Sequence, residues 1–195
     1  MKKRIVVFAV ILCLLSGFAV RFYYVNRHVE LPIVQEFLQG EIVPFGNDFS
    51  DAAGDSAPGY TLQVLDSVLF TISEFLDQYD SEHEMVADGF TQYFYLVKIS
   101  VGNIDNTQGE ESGVSLPLIP LVGTNYFMMI DYPAFKVLNP NMPGLDFSLQ
   151  PGTTKEFLLP YAINSDVHTS YRRLQKDILK LQLTEYPHRK RIALN

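Results

Sequence analysis

The first two dozen residues constrain this chain most. Lys2, Lys3 and Arg4 precede an unbroken apolar run from Ile5 to Val20, and Arg21 with the aromatic trio Phe22, Tyr23 and Tyr24 follows it. A helix across the run rises about 1.5 Å per residue, about 24 Å in all, against a hydrocarbon core of about 30 Å. Continuing to Val25 makes up the length, with Arg21 snorkelling and the aromatic trio at the headgroup belt. The N-terminal cations stay on the cytoplasmic side, so everything after Arg21 is expected across the membrane. The preferred reading is a retained single-pass anchor with the C-terminal domain extracytoplasmic. The alternative is secretion after cleavage near Ala19, because Gly17 and Ala19 are small residues spaced like a signal-peptidase site.

Cys13 is the only cysteine. Val10, Ile11 and Leu12 before it lack the small residue of a lipidation site, so it reads as an apolar thiol in the membrane helix. The exported part therefore has no disulfide and stands on core burial, for which about 165 residues suffice. From His28 onward there are 22 acidic against 10 basic side chains, a net of −12. Nucleic acid is excluded as an expected partner by that balance.

Pro32 at a first-turn position and Gly40 as a stop predict a short helix through Leu38, with Ile33, Val34, Phe37 and Leu38 as its stripe. Asn47 to Gly59 carries no periodicity and reads as a polar linker. The expected organisation is thus a membrane segment at 1–28, a short helix and linker at 29–58, and one domain at 59–195.

After the linker the period becomes two. Tyr60, Leu62, Val64, Val68, Phe70 and Ile72 are assigned to one face of a long strand, with a bulge near Asp66. Tyr93, Tyr95, Val97, Ile99 and Val101 form the next inward face, and Leu145, Phe147 and Leu149 another, ending at Pro151-Gly152. Phe157, Leu159 and Tyr161, then Leu179, Leu181 and Leu183, then 189–194 after a turn at Tyr186-Pro187 complete the series. Tyr126 to Ile130 is expected as a strand buried on both faces, and Thr169 to Lys176 as a helical turn capped by Ser165 or Asp166. Six or seven strands with almost no helical period argue for an all-β antiparallel sandwich.

The order of these elements carries a resemblance. An anchor, a polar linker, Gly59-Tyr60-Thr61-Leu62-Gln63-Val64, the run Tyr95 to Asn103, Leu149-Gln150-Pro151-Gly152 and Leu159-Pro160-Tyr161 follow in turn. Together they resemble the uncharacterised immunoglobulin-like domains of exported and membrane-anchored proteins of Gram-positive bacteria. The resemblance covers about residues 59 to 195 and implies an immunoglobulin-like antiparallel β-sandwich at the cell surface. It implies no activity and no site residues.

Motifs for chemistry are missing. There is no Gly-x-Ser-x-Gly elbow, phosphate-binding glycine loop, paired-histidine zinc motif or Cys-x-x-Cys, and His28, His83, His168 and His188 are scattered. No catalytic residue, cofactor or resident metal is expected. Two acidic connections are the candidate partner-binding surfaces: Asp77, Asp80, Glu82 and Glu84 in one, and Asp105, Glu110 and Glu111 in the other. Clustered hard oxygen ligands suit calcium, but the bend glycine and ligand order of a calcium loop are not there. The dense apolar run from Val114 to Tyr132 is expected to be covered; exposed, it would mark a partner site. The functional expectation is a non-catalytic, membrane-anchored interaction module with a protein partner. Its rivals are an accessory subunit of a secretion or envelope machine, and an acidic-loop metal-dependent binder or hydrolase.

Overall fold

The computed structural model describes residues 2–27, 30–79, 91–109, 112–124, 126–142, 144–164 and 176–194. The chain divides into two compact units, Met1–Leu31 and Pro32–Asn195. The first contains one helix, α1 (Lys2–Arg27), whose Arg4–Arg27 stretch is long and apolar enough to be a membrane span or a signal sequence. Its apolar side chains are exposed on every side, from Ile5 to Val25. A helix that is apolar all round is stable where its surroundings are apolar too.

The second unit is mostly β. Its elements are β1 (Ile33–Leu38), β2 (Ile42–Pro44), β3 (Tyr60–Thr71), α2 (Ile72–Tyr79), β4 (Thr91–Asn103), β5 (Val114–Ser115), β6 (Leu121–Val122) and β7 (Phe127–Met128). These are followed by α3 (Tyr132–Leu138), β8 (Asp146–Phe147), β9 (Thr153–Asn164), β10 (Lys180–Gln182) and β11 (His188–Ala193). One sheet runs β1-β11-β10-β6-β7, a second β2-β3-β4-β9, and β5 pairs with β8. The two larger sheets share one core: Leu62, Val64, Val97, Ile99, Val101, Phe157 and Leu159 from one meet Leu121, Leu181 and Ile192 from the other. The strand phases read from the period-two pattern therefore hold for β4, β9 and β10.

The bulge in β3 falls where the polar residue interrupts the pattern, between Val64 and Asp66. Its consequence differs from the expected single face. One extra residue reverses the side-chain alternation, so Tyr60, Leu62 and Val64 enter the shared core while Val68 and Phe70 pair with Leu96 and Phe94. There α2 and α3 build a second small core of Phe75, Phe94, Leu96 and Ala134, with Phe70 and Ile72 against it. Asp131 starts α3 by accepting the Ala134 N–H at 2.9 Å.

The expected helix at 32–38 is a correction: Ile33–Leu38 is a strand, parallel to β11 in register Ile33↔His188 through Leu38↔Ala193. Phe37 packs on the core, and a single stripe could not have paired with the last strand as a helix. Tyr126 to Ile130 also differs. Only Phe127–Met128 is strand, Met128 is buried, and Phe127 is 67 % exposed, so one face alone is covered. Within the Val114–Tyr132 run, Val114, Leu116, Ile119 and Leu121 are core, whereas Phe127, Met129 and Tyr132 are exposed. The helical turn at 169–176 lies outside the described residues except for Lys176, as do His28, His83 and His168.

Two side-chain devices tie the unit together. Asn139 imitates a strand: its amide nitrogen donates to the Leu158 carbonyl at 2.8 Å, and its oxygen accepts the Leu158 N–H at 3.1 Å, covering part of the outer edge of β9. The segment between β2 and β3 is docked rather than loose. Phe49 bridges to Tyr186, Ala57 is buried, and Asp48 contacts Lys190 at 2.7 Å and His188 at 2.9 Å. Burial pushes the Asp48 carboxyl up, yet its hydrogen bonds and charge contacts with Lys190 and His188 outweigh that and hold it below the usual carboxylate value.

Candidate functional site

At the Asn103 end of β4 the chain turns through a network of amides. The Asn103 side-chain nitrogen donates to the Asn106 carbonyl at 2.8 Å and the Leu149 carbonyl at 2.7 Å, while its oxygen accepts the Asn106 N–H at 2.8 Å. Asn106 in turn donates to the Pro58 carbonyl at 2.7 Å and to the Ser112 hydroxyl at 2.9 Å. Both asparagines and Ser112 are buried, so these three residues hold one another from within. Gly59 is required beside it: its φ is +81°, and a Cβ there would lie 2.6 Å from Asp105 Oδ1 and 2.9 Å from the Asn106 nitrogen.

This frame delivers the chain into β5, which pairs with β8 as Val114↔Phe147 and Ser115↔Asp146. Gly113 permits the approach, because a Cβ would stand 2.4 Å from the Phe147 carbonyl oxygen. Opposite, Asp55 Oδ2 accepts the Ala52 N–H at 2.8 Å and the Asp51 N–H at 3.2 Å, and so shapes the 3-10 turn Ala53–Asp55. Between these walls opens a cleft of about 560 Å³ lined by Gly54, Asp55, Gly113, Val114, Ser115, Asp146, Phe147 and Ser148. Its lining combines two carboxylates, two serine hydroxyls, close-approach backbone and the Phe147 ring, which packs against Phe157 with centroids 4.7 Å apart. Such a lining can accept hydrogen bonds from a cationic or amide-rich chain while one apolar wall takes its stem.

The two acidic connections belong to different parts of the fold. Asp77 is exposed on α2, which packs alongside β4 with Phe75 stacked on Phe94, whereas Asp105 is exposed just after the Asn103 end. Asp80, Glu82, Glu84, Glu110 and Glu111 lie outside the described residues. Among the described residues no group of three or more His, Cys, Asp or Glu side chains is placed to hold a metal ion. Asp55 and Asp146 belong to no sequence motif that marks a site. One sits in the polar stretch before β3 and the other in an alternating strand, and the packing of the Ala53–Asp55 turn beside the β5–β8 pair brings them to one opening.

A second polar group lies elsewhere. Asp177 accepts from the Tyr126 hydroxyl at 2.7 Å and the Thr124 hydroxyl at 2.6 Å, and burial together with that carboxylate pushes the Tyr126 phenol far up. It stitches the segment before β7 to the segment before β10.

Residues 34–190 match a protein-family model described as Domain of unknown function (DUF5028), and the chain belongs to that family. No curated protein and no solved structure matches.

Proposed function

We propose that this DUF5028 chain is a membrane-anchored extracytoplasmic interaction module, built on an immunoglobulin-like sandwich, that holds a basic segment of a protein partner without catalysing a reaction on it. The observation that carries the reading is the cleft of about 560 Å³ with Asp55 and Asp146 in its wall. Its position beside the Asn103–Asn106 frame supports a rigid, preformed site rather than one moulded by its ligand. The acidic balance of the domain supports a basic partner, since a field of one sign raises the encounter rate with the other. The anchor is supported by the unbroken α1, whose 24-residue apolar stretch spans about 36 Å at about 1.5 Å per residue. The cluster Lys2, Lys3 and Arg4 supports a cytoplasmic N-terminus. Two sheets on one core support the immunoglobulin-like reading.

The test is binding of lysine- and arginine-rich peptides to the full chain in nanodiscs. Binding is expected to saturate, to weaken steeply with added salt because exposed charges are screened beyond about 8 to 10 Å, and to fall in the Asp55→Asn/Asp146→Asn double variant. Asparagine at 55 keeps an acceptor for the Ala52 N–H, so melting should change little. Binding indifferent both to salt and to these substitutions would refute the reading.

A further inference from the structure

The Asp48–Lys190 contact, away from the cleft lining, has a geometry that an ordinary ion pair does not require. Both side chains are withdrawn from solvent, at 7 % and 8 % exposure, and Nζ lies 2.7 Å from Oδ2. The amine's other two hydrogens are directed at the Pro44 carbonyl at 2.7 Å and the Phe45 carbonyl at 2.9 Å. The carboxyl's second oxygen, Oδ1, is 2.9 Å from His188 Nδ1, and His188 is partly open to solvent. We propose that Lys190 and Asp48 are the two halves of an intramolecular amide cross-link, formed by condensation of the lysine amine with the aspartate carboxyl.

The arrangement supplies each step. The resting pair is ionised. Passing one proton from Nζ to Oδ2 along their hydrogen bond leaves a neutral pair, which a site shielded from water penalises less than it penalises ions. The two remaining N–H groups stay on the Pro44 and Phe45 carbonyls, so the lone pair just exposed points where the departed proton pointed, toward the carboxyl. Nζ then bonds to Cγ, and charge develops on Oδ1. His188, with its proton on Nδ1, stabilises that oxygen by hydrogen bonding. A second proton moves from Nζ to Oδ2, the Cγ–Oδ2 bond breaks, and water leaves. The product is an amide with Oδ1 as its oxygen and one N–H still bonded to a backbone carbonyl. Nothing is oxidised or reduced, and no co-reactant is consumed. Holding two reacting groups in contact is worth an effective concentration of about 10⁵ to 10⁸ M, which a single-turnover reaction can use slowly.

The bond would join the last strand, β11, to the segment that follows β2 in a unit with no cysteine, so it would fix covalently what no disulfide fixes. The experiment is peptide mass spectrometry of the purified full chain, once cooperative melting has shown it to be folded. Digestion is expected to yield a branched peptide joining the Asp48 and Lys190 segments, one water lighter than their sum. In Asp48→Asn the same product should form with loss of ammonia instead, and in His188→Ala the linked fraction should fall. Folded wild-type protein that still yields only separate Asp48 and Lys190 peptides after prolonged incubation overturns the proposal. If Asp48→Asn or His188→Ala fails to fold, that wild-type result decides alone.

Discussion

Asn103→Ala removes one side chain that makes three hydrogen bonds of 2.7 to 2.8 Å, and so tests whether the cleft is framed from inside. The residue is 2 % exposed, so water does not readily replace what is lost. The Asn106 N–H and the Asn106 carbonyl lose this partner together, and the Leu149 carbonyl keeps only the Tyr60 hydroxyl at 3.4 Å. Each net bond is worth about 1 kcal/mol and each buried orphan costs about 1 to 3 kcal/mol, giving about 3 kcal/mol for the set. In a domain of this size about 1 kcal/mol moves the melting temperature by about 2 to 4 °C, so a fall of about 6 to 12 °C is expected. Calorimetry and urea unfolding of the full chain in detergent measure it, with exposed Gln92→Ala as a control that stays within about 0.5 kcal/mol. Amide exchange should quicken at Ser112, Val114 and Ser115, the residues that lead into the cleft. A melting change as small as that of Gln92→Ala, with exchange at those amides unaltered, would refute the internal frame.

Three further outcomes follow from the same geometry. Val97→Asp and Leu181→Asp place a charge at fully buried positions of the two sheets and should abolish soluble folded protein, whereas Lys98→Asp, at an exposed pair with Glu156, should fold; equal damage in all three would contradict the strand phases. Gly113→Ala drives a Cβ into the Phe147 carbonyl and should cost about 1 to 3 kcal/mol by unfolding assay while weakening peptide binding further. Burial raises the Tyr95, Tyr126 and Tyr161 phenols above 10.0 in the folded state, so their contribution is complete below pH 10 and lost as pH rises above it. An alkaline stability profile of Tyr126→Phe should therefore fall less steeply than that of the wild type, and an equal slope would count against the burial of this phenol beside Asp177.

Much of the fold was legible where the cause is local. Val97, Ile99 and Val101, and likewise Leu179, Leu181 and Leu183, alternate with polar residues, and period two is sufficient to assign the inward face. Asp66 marked the bulge for the same reason. Its effect was not legible, because a run such as Val68, Phe70 and Ile72 is apolar whichever face it takes, and only α2 and α3 on the far side decide. The strand at Ile33–Leu38 was hidden because its apolar spacing also fits a helix, and its partner β11 lies at the other end of the chain. The candidate site was the least legible part. Asp77 and Asp105 stand out as acidic residues yet belong to different elements, α2 and the turn after β4, while Asp55 and Asp146 belong to no motif and meet only through tertiary packing.

The proposed module holds a partner at the cleft while its domain stands outside the membrane. In-cell photocrosslinking measures that directly, with a photoreactive amino acid at Ser148 in the cleft wall and, as control, at exposed Ser73 on α2. Brief illumination of wall-stripped cells is followed by protease added from outside. A discrete adduct is expected from position 148 only, absent in the Asp55→Asn/Asp146→Asn background, and digested by the external protease. No adduct at position 148, the same adduct from position 73, or an adduct that survives the protease would contradict this reading.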